Sequence, residues 1–339
     1  MSTIRNITLI TVALVAVLAL SGCTREITTV LQEPVEPSSC FECHGDNDLS
    51  IIAITTQWEN SVHASGNNTN RNSASCAKCH TGDGFIQFAN GEDVTTANNP
   101  SVIHCFVCHA PHSEGNFGMR ITEAQELVTG VSYDLGMGNT CAVCHQARKA
   151  FDTSFNGSSI NSSYWGPHHG TQSDLLLASN GHEYDGYTYN ETQWHRTDTA
   201  DGCVDCHVRT GGQNWLVGGH SFNMSSEIPG AVGEDPTYEI TTESCENCHI
   251  DYDQDDFDYR GVQTDVETLL EDLSTALTAA GLLSGGRPNN GFLVADPDSA
   301  GALWNFLLIE EDRSHGIHNP TYAKDLLQSS LDYLTGGAK

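Results

Sequence analysis

One five-residue pattern, Cys-x-x-Cys-His, constrains this chain more than anything else in it. It occurs six times: at Cys40, Cys43 and His44; at Cys76, Cys79 and His80; at Cys105, Cys108 and His109; at Cys141, Cys144 and His145; at Cys203, Cys206 and His207; and at Cys245, Cys248 and His249. In such a pattern two thiols form thioethers to the vinyl groups of a haem, and the adjacent imidazole, held by the same short turn, becomes the proximal ligand of the iron. A zinc reading fits poorly. Zinc needs four ligands, commonly from two Cys-x-x-Cys pairs about 15 to 20 residues apart. Here every pair is followed at once by His, the intervals vary widely, and the motifs leave no thiol over for zinc. The sequence therefore calls for six covalently bound haem c groups.

Twelve of the 13 cysteines lie in those motifs, which leaves Cys23 for a different task. Covalent haem loading takes place on the outer face of the energised bacterial membrane, so the chain is expected to be exported. Residues 1–22 agree: Arg5 precedes an apolar run from Ile7 to Leu20, as in a signal peptide. That run ends Leu20-Ser21-Gly22-Cys23, which resembles the bacterial lipobox, with Cys23 lipidated as the mature N-terminus. Thr24 follows instead of Asp, which by the sorting rule of enteric bacteria points to the outer membrane. The alternative is an ordinary secretory cleavage beside a stray cysteine. Residues 23–39, with Pro34, Pro37, Glu26, Glu33 and Glu36 and no helical period, read as a flexible tether. The expected location is exported and lipid-anchored, at the periplasmic side or the surface of the outer membrane.

Residues 40–250 alternate haem motifs with polar Gly/Asn/Ser loops, and no helix longer than three turns is expected there. One haem per roughly 50 residues leaves too little chain for an ordinary apolar core of that length, so the haems themselves should form it. The expected fold class is mainly α with long loops and little β, a polypeptide wrapped around six stacked haems. Beyond Ile250 the character changes. Asp251, Asp253, Asp255, Asp256 and Asp258 loosely resemble a calcium loop, but Asp256 stands where Gly is required and Val262 where Glu is, so a solvated acidic turn is the better reading. Three helices should follow. The first carries Val262, Val266, Leu269, Leu270, Leu273 and Leu277 on one face and ends before Gly281. The second covers about 298–312, burying Leu303, Phe306 and Leu307. The third runs from Pro320 to Leu334, with Tyr322, Leu326, Leu327, Leu331 and Leu334 inward and Gly336 and Gly337 as its stop. Residues 251–339 are thus expected to be a helical section packed on the haem body.

Fourteen basic against 44 acidic side chains, a formal charge of −30, exclude a nucleic-acid binder, which needs a basic face. That charge suits a basic redox partner, a cationic substrate or a mineral edge, or simply a saline habitat.

An electron-transferring haem needs a second axial ligand. With only four Met in the chain, and ten His outside the motifs, histidine should fill most of these positions. Several segments around those histidines, Trp58-Glu-Asn-Ser-Val-His63, Cys105-Phe-Val-Cys-His-Ala-Pro-His112, Trp165-Gly-Pro-His168-His169-Gly-Thr-Gln172, Gly218-Gly219-His220-Ser-Phe222 and His315-Gly-Ile-His318-Asn-Pro320-x-Tyr322, resemble, in this order, segments of the multihaem cytochromes c related to cytochrome c nitrite reductase and octahaem hydroxylamine oxidoreductase. The resemblance spans nearly the whole mature chain, including the C-terminal helices. It implies distal iron ligation by His63, His112, His168, His195, His220 and His318. His169 rivals His168, and His315 rivals His318; His104 and His182 are left as surface or supporting groups.

Three functions follow from these readings. An electron carrier would pass electrons along bis-histidine haems between redox partner proteins, such as other multihaem cytochromes, with a lipid anchor on the membrane. An enzyme would need one open haem; the nitrite reductases usually carry Lys in the catalytic motif, whereas every motif here ends in His, and no Tyr stands out as the crosslinked one of the hydroxylamine oxidoreductases. A self-associating filament subunit would share ligands between copies, for which spare histidines exist. Mass spectrometry of the exported protein is expected to find Cys23 acylated at the N-terminus; an unmodified N-terminus elsewhere would contradict the lipobox.

Overall fold

The computed structural model of the chain describes residues 49–337, apart from 67, 156–159, 161, 191–193, 210–214, 231–234, 247, 252–256 and 292–295. The expected signal peptide, Cys23, the expected tether and most of the acidic run after Asp251 lie outside the described residues. So does the whole first haem motif: the expected thioether positions Cys40 and Cys43 and the expected proximal ligand His44 have no described place.

Each described haem motif is a single helical turn. The histidine N–H donates to the carbonyl of the first cysteine, at 3.2 Å for His80, 3.0 Å for His109, 2.9 Å for His145 and 2.8 Å for His249, and Cys203–His207 is helical throughout. Residues three and four apart share a face of a helix, so the spacing presents both sulfurs and the imidazole to the same side. Around these turns run α1 (Leu49–Glu59) and α2 (Gly82–Ala89). Thr81 caps α2 by accepting from the Gly84 N–H at 3.0 Å. Gly84 itself is dictated by packing, because a Cβ there would stand 2.4 Å from the Ala77 backbone in the preceding motif turn.

Sheet among the described residues is confined to three antiparallel ribbons of two strands: β1 (Gln125–Glu126) with β2 (Ser132–Tyr133), β3 (Ser225–Ile228) with β4 (Thr237–Ile240), and β5 (Leu283–Ser284) with β6 (Arg287–Pro288). The mainly helical, loop-rich, sheet-poor class read from the sequence is the one observed.

The C-terminal helices are α3 (Val262–Ala279), α4 (Pro297–Asp312) and α5 (Pro320–Thr335). Asp258 accepts from the N–H groups of Gln263 and Thr264 and so satisfies the free donors that open α3. Asp296 caps α4 through the Asp298 and Ser299 N–H groups, and Asn319 caps α5 through that of Tyr322, each followed by Pro at the first helical position. Gly336, at φ 69°, closes α5 in the left-handed conformation that glycine adopts without strain.

Two sequence expectations change here. The second helix does not bury one face of Leu303, Phe306 and Leu307: every residue from Ala300 to Ile309 is buried. α4 lies between α3, α5 and the segment around 171–184, and its run of apolar residues, broken only by Asn305, is that of a helix enclosed on all sides. Asn305 is reconciled by hydrogen bonds to the His182 backbone in both directions and to Ser330. The second correction concerns the core. Side chains of α3, α4 and α5, with Phe151, Ile160 and Leu175, form a sizeable apolar cluster of their own. Two smaller clusters, around Leu127, Tyr133 and Leu176 and around Phe85, Val107 and Val143, sit beside the motif turns. Haem is thus not needed as filler everywhere; the apolar residues concentrate in the C-terminal third.

Leu273→Ala, at a fully buried position of α3, is expected to lower unfolding stability by about 2–5 kcal/mol through lost burial and a residual cavity. Denaturant midpoints of the haem-loaded protein check this, an unchanged midpoint contradicting the described core.

Candidate haem-iron sites

Each described motif histidine has the ring of one further histidine facing it at nearly the same separation. Ring centres are 6.1 Å apart for His145 and His63, 6.3 Å for His80 and His168, 6.3 Å for His109 and His220, 6.2 Å for His249 and His195, and 6.3 Å for His207 and His318. Two imidazoles bound to opposite faces of one metal ion through bonds of about 2 Å have ring centres about 6 Å apart. The separation is the one that a single ion held between the two rings would require.

Chemistry of the surroundings narrows what that ion could be. Among the described residues no group of three or more His, Cys, Asp or Glu side chains is placed to hold a bare metal. Two imidazoles alone leave four positions around a six-coordinate iron unfilled, which is what a porphyrin supplies. The described motif cysteines are all free thiols, not joined to one another. Most are partly buried, but Cys105 and Cys248 are exposed. A thioether needs only a reachable thiol on the same face as the histidine, so the residues present fit haem c.

The rings are also prepared as ligands. Burial lowers the pKa values of His80, His195, His207, His220 and His249. His63 is held down to about 4 by burial and then by the neighbouring His145, and His168 to about 4 by burial and then by His169. Neutral imidazole is the form that binds a metal. Its orientation is fixed from the far nitrogen: Nδ1 faces the Gly118 carbonyl in His109 (3.3 Å), Gln172 Oε1 in His145 (3.3 Å), the Ile317 carbonyl in His195 (2.7 Å), the Phe222 carbonyl in His207 (3.0 Å) and Asp312 Oδ1 in His318 (2.6 Å). An Nδ1–H donated outward leaves the Nε2 lone pair for the iron. For His318, burial opposes a positive charge, but the Asp312 carboxylate overrides it and the pKa is raised.

Local structure explains how each second histidine is held. His63 sits on the turn Val62–Ser65, whose Ser61 cap accepts from the Ala64 N–H at 3.2 Å. His220 lies on the turn Gly219–Ser221, and its N–H donates to Gln57 Oε1 of α1 at 3.1 Å. His195 belongs to the turn Trp194–Thr197, while His318 directly precedes the Asn319 cap of α5. His168 has a positive φ of 75°, which costs a residue other than glycine free energy and persists only where the surroundings demand it.

The two rivalries left open by the sequence have distinct geometries. His169 turns away and places Nδ1 2.5 Å from Glu311, and His315 places Nδ1 2.6 Å from Glu267. His182 packs between Phe151 and Tyr184 and donates to Asp298, and His104 caps the Phe106 N–H. His112 has its ring 5.4 Å from that of Phe106, next to the motif of His109. Its expected counterpart His44 is outside the described residues, with Cys40 and Cys43. Sequence reading missed Asp312 and Gln172, since nothing in their spacing announces a partner far along the chain.

The motif turns also touch one another. Cys79 Sγ stands 3.9 Å from the Val143 carbonyl and Cys144 Sγ 3.8 Å from that of Lys78, a reciprocal arrangement of two motifs side by side. The Cys141 and Cys203 side chains adjoin, with the Tyr133 hydroxyl 3.2 Å from Cys203 Sγ. Cys108 and Cys144 pack on one apolar cluster.

Comparison with known proteins agrees with this chemistry. The chain is 24% identical over 344 aligned residues to the C-type polyheme cytochrome OmcB of Geobacter sulfurreducens, covering 78% of this chain and 44% of that one. It is 24% identical over 343 residues to the C-type polyheme cytochrome OmcC of the same species, covering 77% and 43%. The chain spans less than half the length of these relatives. No family model and no solved structure matches it.

Proposed function

We propose that this chain is an exported hexahaem c-type cytochrome that relays electrons through closely spaced haems, each held between a motif histidine and a second histidine. The observation that carries the reading is the set of five imidazole pairs with ring centres 6.1 to 6.3 Å apart. On this reading His63, His168, His195, His220 and His318 are distal ligands, and His112 with His44 makes the sixth pair. Thioethers form at the twelve motif cysteines, Cys40, Cys43 and the exposed Cys248 among them. The sequence similarity to two C-type polyheme cytochromes supports it.

Haem iron between two imidazoles gains and loses one electron without exchanging a ligand. The chain's own residues do the rest. Paired histidines would hold each iron, the Nδ1 hydrogen bonds of His109, His145, His195, His207 and His318 fix ring orientation, and burial disfavours the charged form of His63, His80, His168, His195, His207, His220 and His249. Contacts between motif turns, Cys79 with Cys144 and Cys141 with Cys203, would bring the haems that these motifs hold close to one another. An oxidoreductase of the nitrite reductase or hydroxylamine oxidoreductase kind would need one iron with a single protein ligand. Two histidines at each of the five described motifs favour the carrier.

A charge of −30 favours basic redox partners met by long-range attraction. The lipobox reading of Cys23 would hold the protein to a membrane on the exported side.

The test is substitution of ligands against their neighbours. His63→Ala, His168→Ala, His195→Ala and His220→Ala are each expected to convert one haem from low to high spin by magnetic circular dichroism, while His169→Ala and His315→Ala leave every haem low-spin. A spectrum unchanged in any of the first four, or a high-spin haem in either of the last two, would contradict the assignment.

A further inference from the structure

The partners of the ring nitrogens are not equivalent. Of the five paired histidines whose Nδ1 contacts are described, four face neutral oxygen: the carbonyls of Gly118, Ile317 and Phe222 and the amide of Gln172. His318 alone among these five faces a carboxylate, Asp312 Oδ1 at 2.6 Å. That carboxylate is built into the site. Its side chain has 0% exposure. Its second oxygen accepts from the Ser314 N–H at 3.2 Å and from the Ser314 hydroxyl, and the same hydroxyl accepts from the His318 N–H at 3.2 Å. Gln172 Nε2 donates to the Asp312 carbonyl at 3.0 Å, tying the end of α4 to the residue that orients His145.

We propose that Asp312 is a positioning and tuning residue: by taking a charge-assisted hydrogen bond from Nδ1 of His318, it makes that imidazole a stronger electron donor and lowers the reduction potential of the haem held by Cys203, Cys206 and His207. The proposal rests on the reading of His318 as that haem's distal ligand. A carboxylate acceptor strengthens the donor nitrogen's bond well beyond a neutral carbonyl, and the gain is retained where water is excluded. Negative charge buried beside the ligand also favours the ferric over the ferrous ion, which carries one positive charge less. The opposite ligand, His207, has only the Phe222 carbonyl on Nδ1, so the carboxylate acts from one side. Because Cys203 adjoins Cys141, the low-potential site sits inside the row of motifs, where it would be reduced after its neighbours.

The experiment is a spectroelectrochemical titration of the haem-loaded protein, with spin state followed in parallel, for wild type, Asp312→Asn, Asp312→Glu and His318→Ala. Expected is a single one-electron component in Asp312→Asn moved to higher potential, its reduction equilibrium constant raised at least tenfold, with every haem still low-spin. Asp312→Glu, which keeps the charge, should lie nearer wild type. Superimposable titrations of wild type and Asp312→Asn overturn the proposal, as do equal shifts in both Asp312 variants or a high-spin haem in Asp312→Asn, which would leave Asp312 only a support for the ring. If His318→Ala keeps every haem low-spin, the ligand reading itself fails.

Discussion

Two imidazoles facing one another across about 6 Å, one from a haem motif and one from a distant part of the chain, are the arrangement on which the rest of this structure depends. Each pair closes a loop. His63 reaches forward to His145, His80 to His168, His109 to His220, and His207 to His318, so the loops overlap and no motif can be placed alone. Loop closure costs conformational entropy that grows slowly with length, so long connections are tolerated when a strong bond seals them. On the proposed reading, an iron held between the two rings would be such a bond. That would explain why the regular elements described between α1 and α3 are all short: local turns carry the motif, and the pairs supply the long-range order.

The C-terminal helices solve a different problem. His318 and Asp312 must be held rigidly, and both belong to the junction of α4 and α5, anchored by Leu308, Trp304, Tyr322 and Leu326 in the apolar cluster. Trp304 Nε1 donates to the Asn180 carbonyl at 2.6 Å and Thr171 Oγ1 to the Leu308 carbonyl at 2.7 Å, locking the segment before His182 to α4. A conventional core thus serves as the platform for one site, while the other sites are organised by short capped turns such as that at Ser61.

Much of this was legible in the sequence, for a physical reason. Covalent attachment requires two sulfurs and an imidazole on one helical face, so the motifs announce themselves at fixed spacing. The ends of α3 and α5 were equally plain, from the leucine period, Pro320 and Gly336. What faces a motif across space leaves no local trace. His168 and His169 are adjacent and chemically identical; they are separated by a backbone at φ 75° and by Glu311, which occupies His169. His315 is likewise occupied by Glu267. How far a motif sulfur is covered is equally silent in the spacing, which is the same for the exposed Cys248 as for the partly buried Cys144. α4 was underestimated because a periodic face was sought where an apolar run broken only by Asn305 signalled full enclosure. Asp312 was invisible because a buried acid at a helix end reads as an ordinary solvated one.

If histidine closes every iron on both faces, as proposed, the protein is a conduit for electrons and not a site of substrate chemistry. Low-temperature EPR of the oxidised, haem-loaded protein, quantified by spin and repeated after adding nitrite, tests it most directly. Low-spin ferric signals from six irons per chain are expected, with no high-spin component and no change on adding nitrite. A high-spin signal that shifts with nitrite would mean one open iron, and would contradict it.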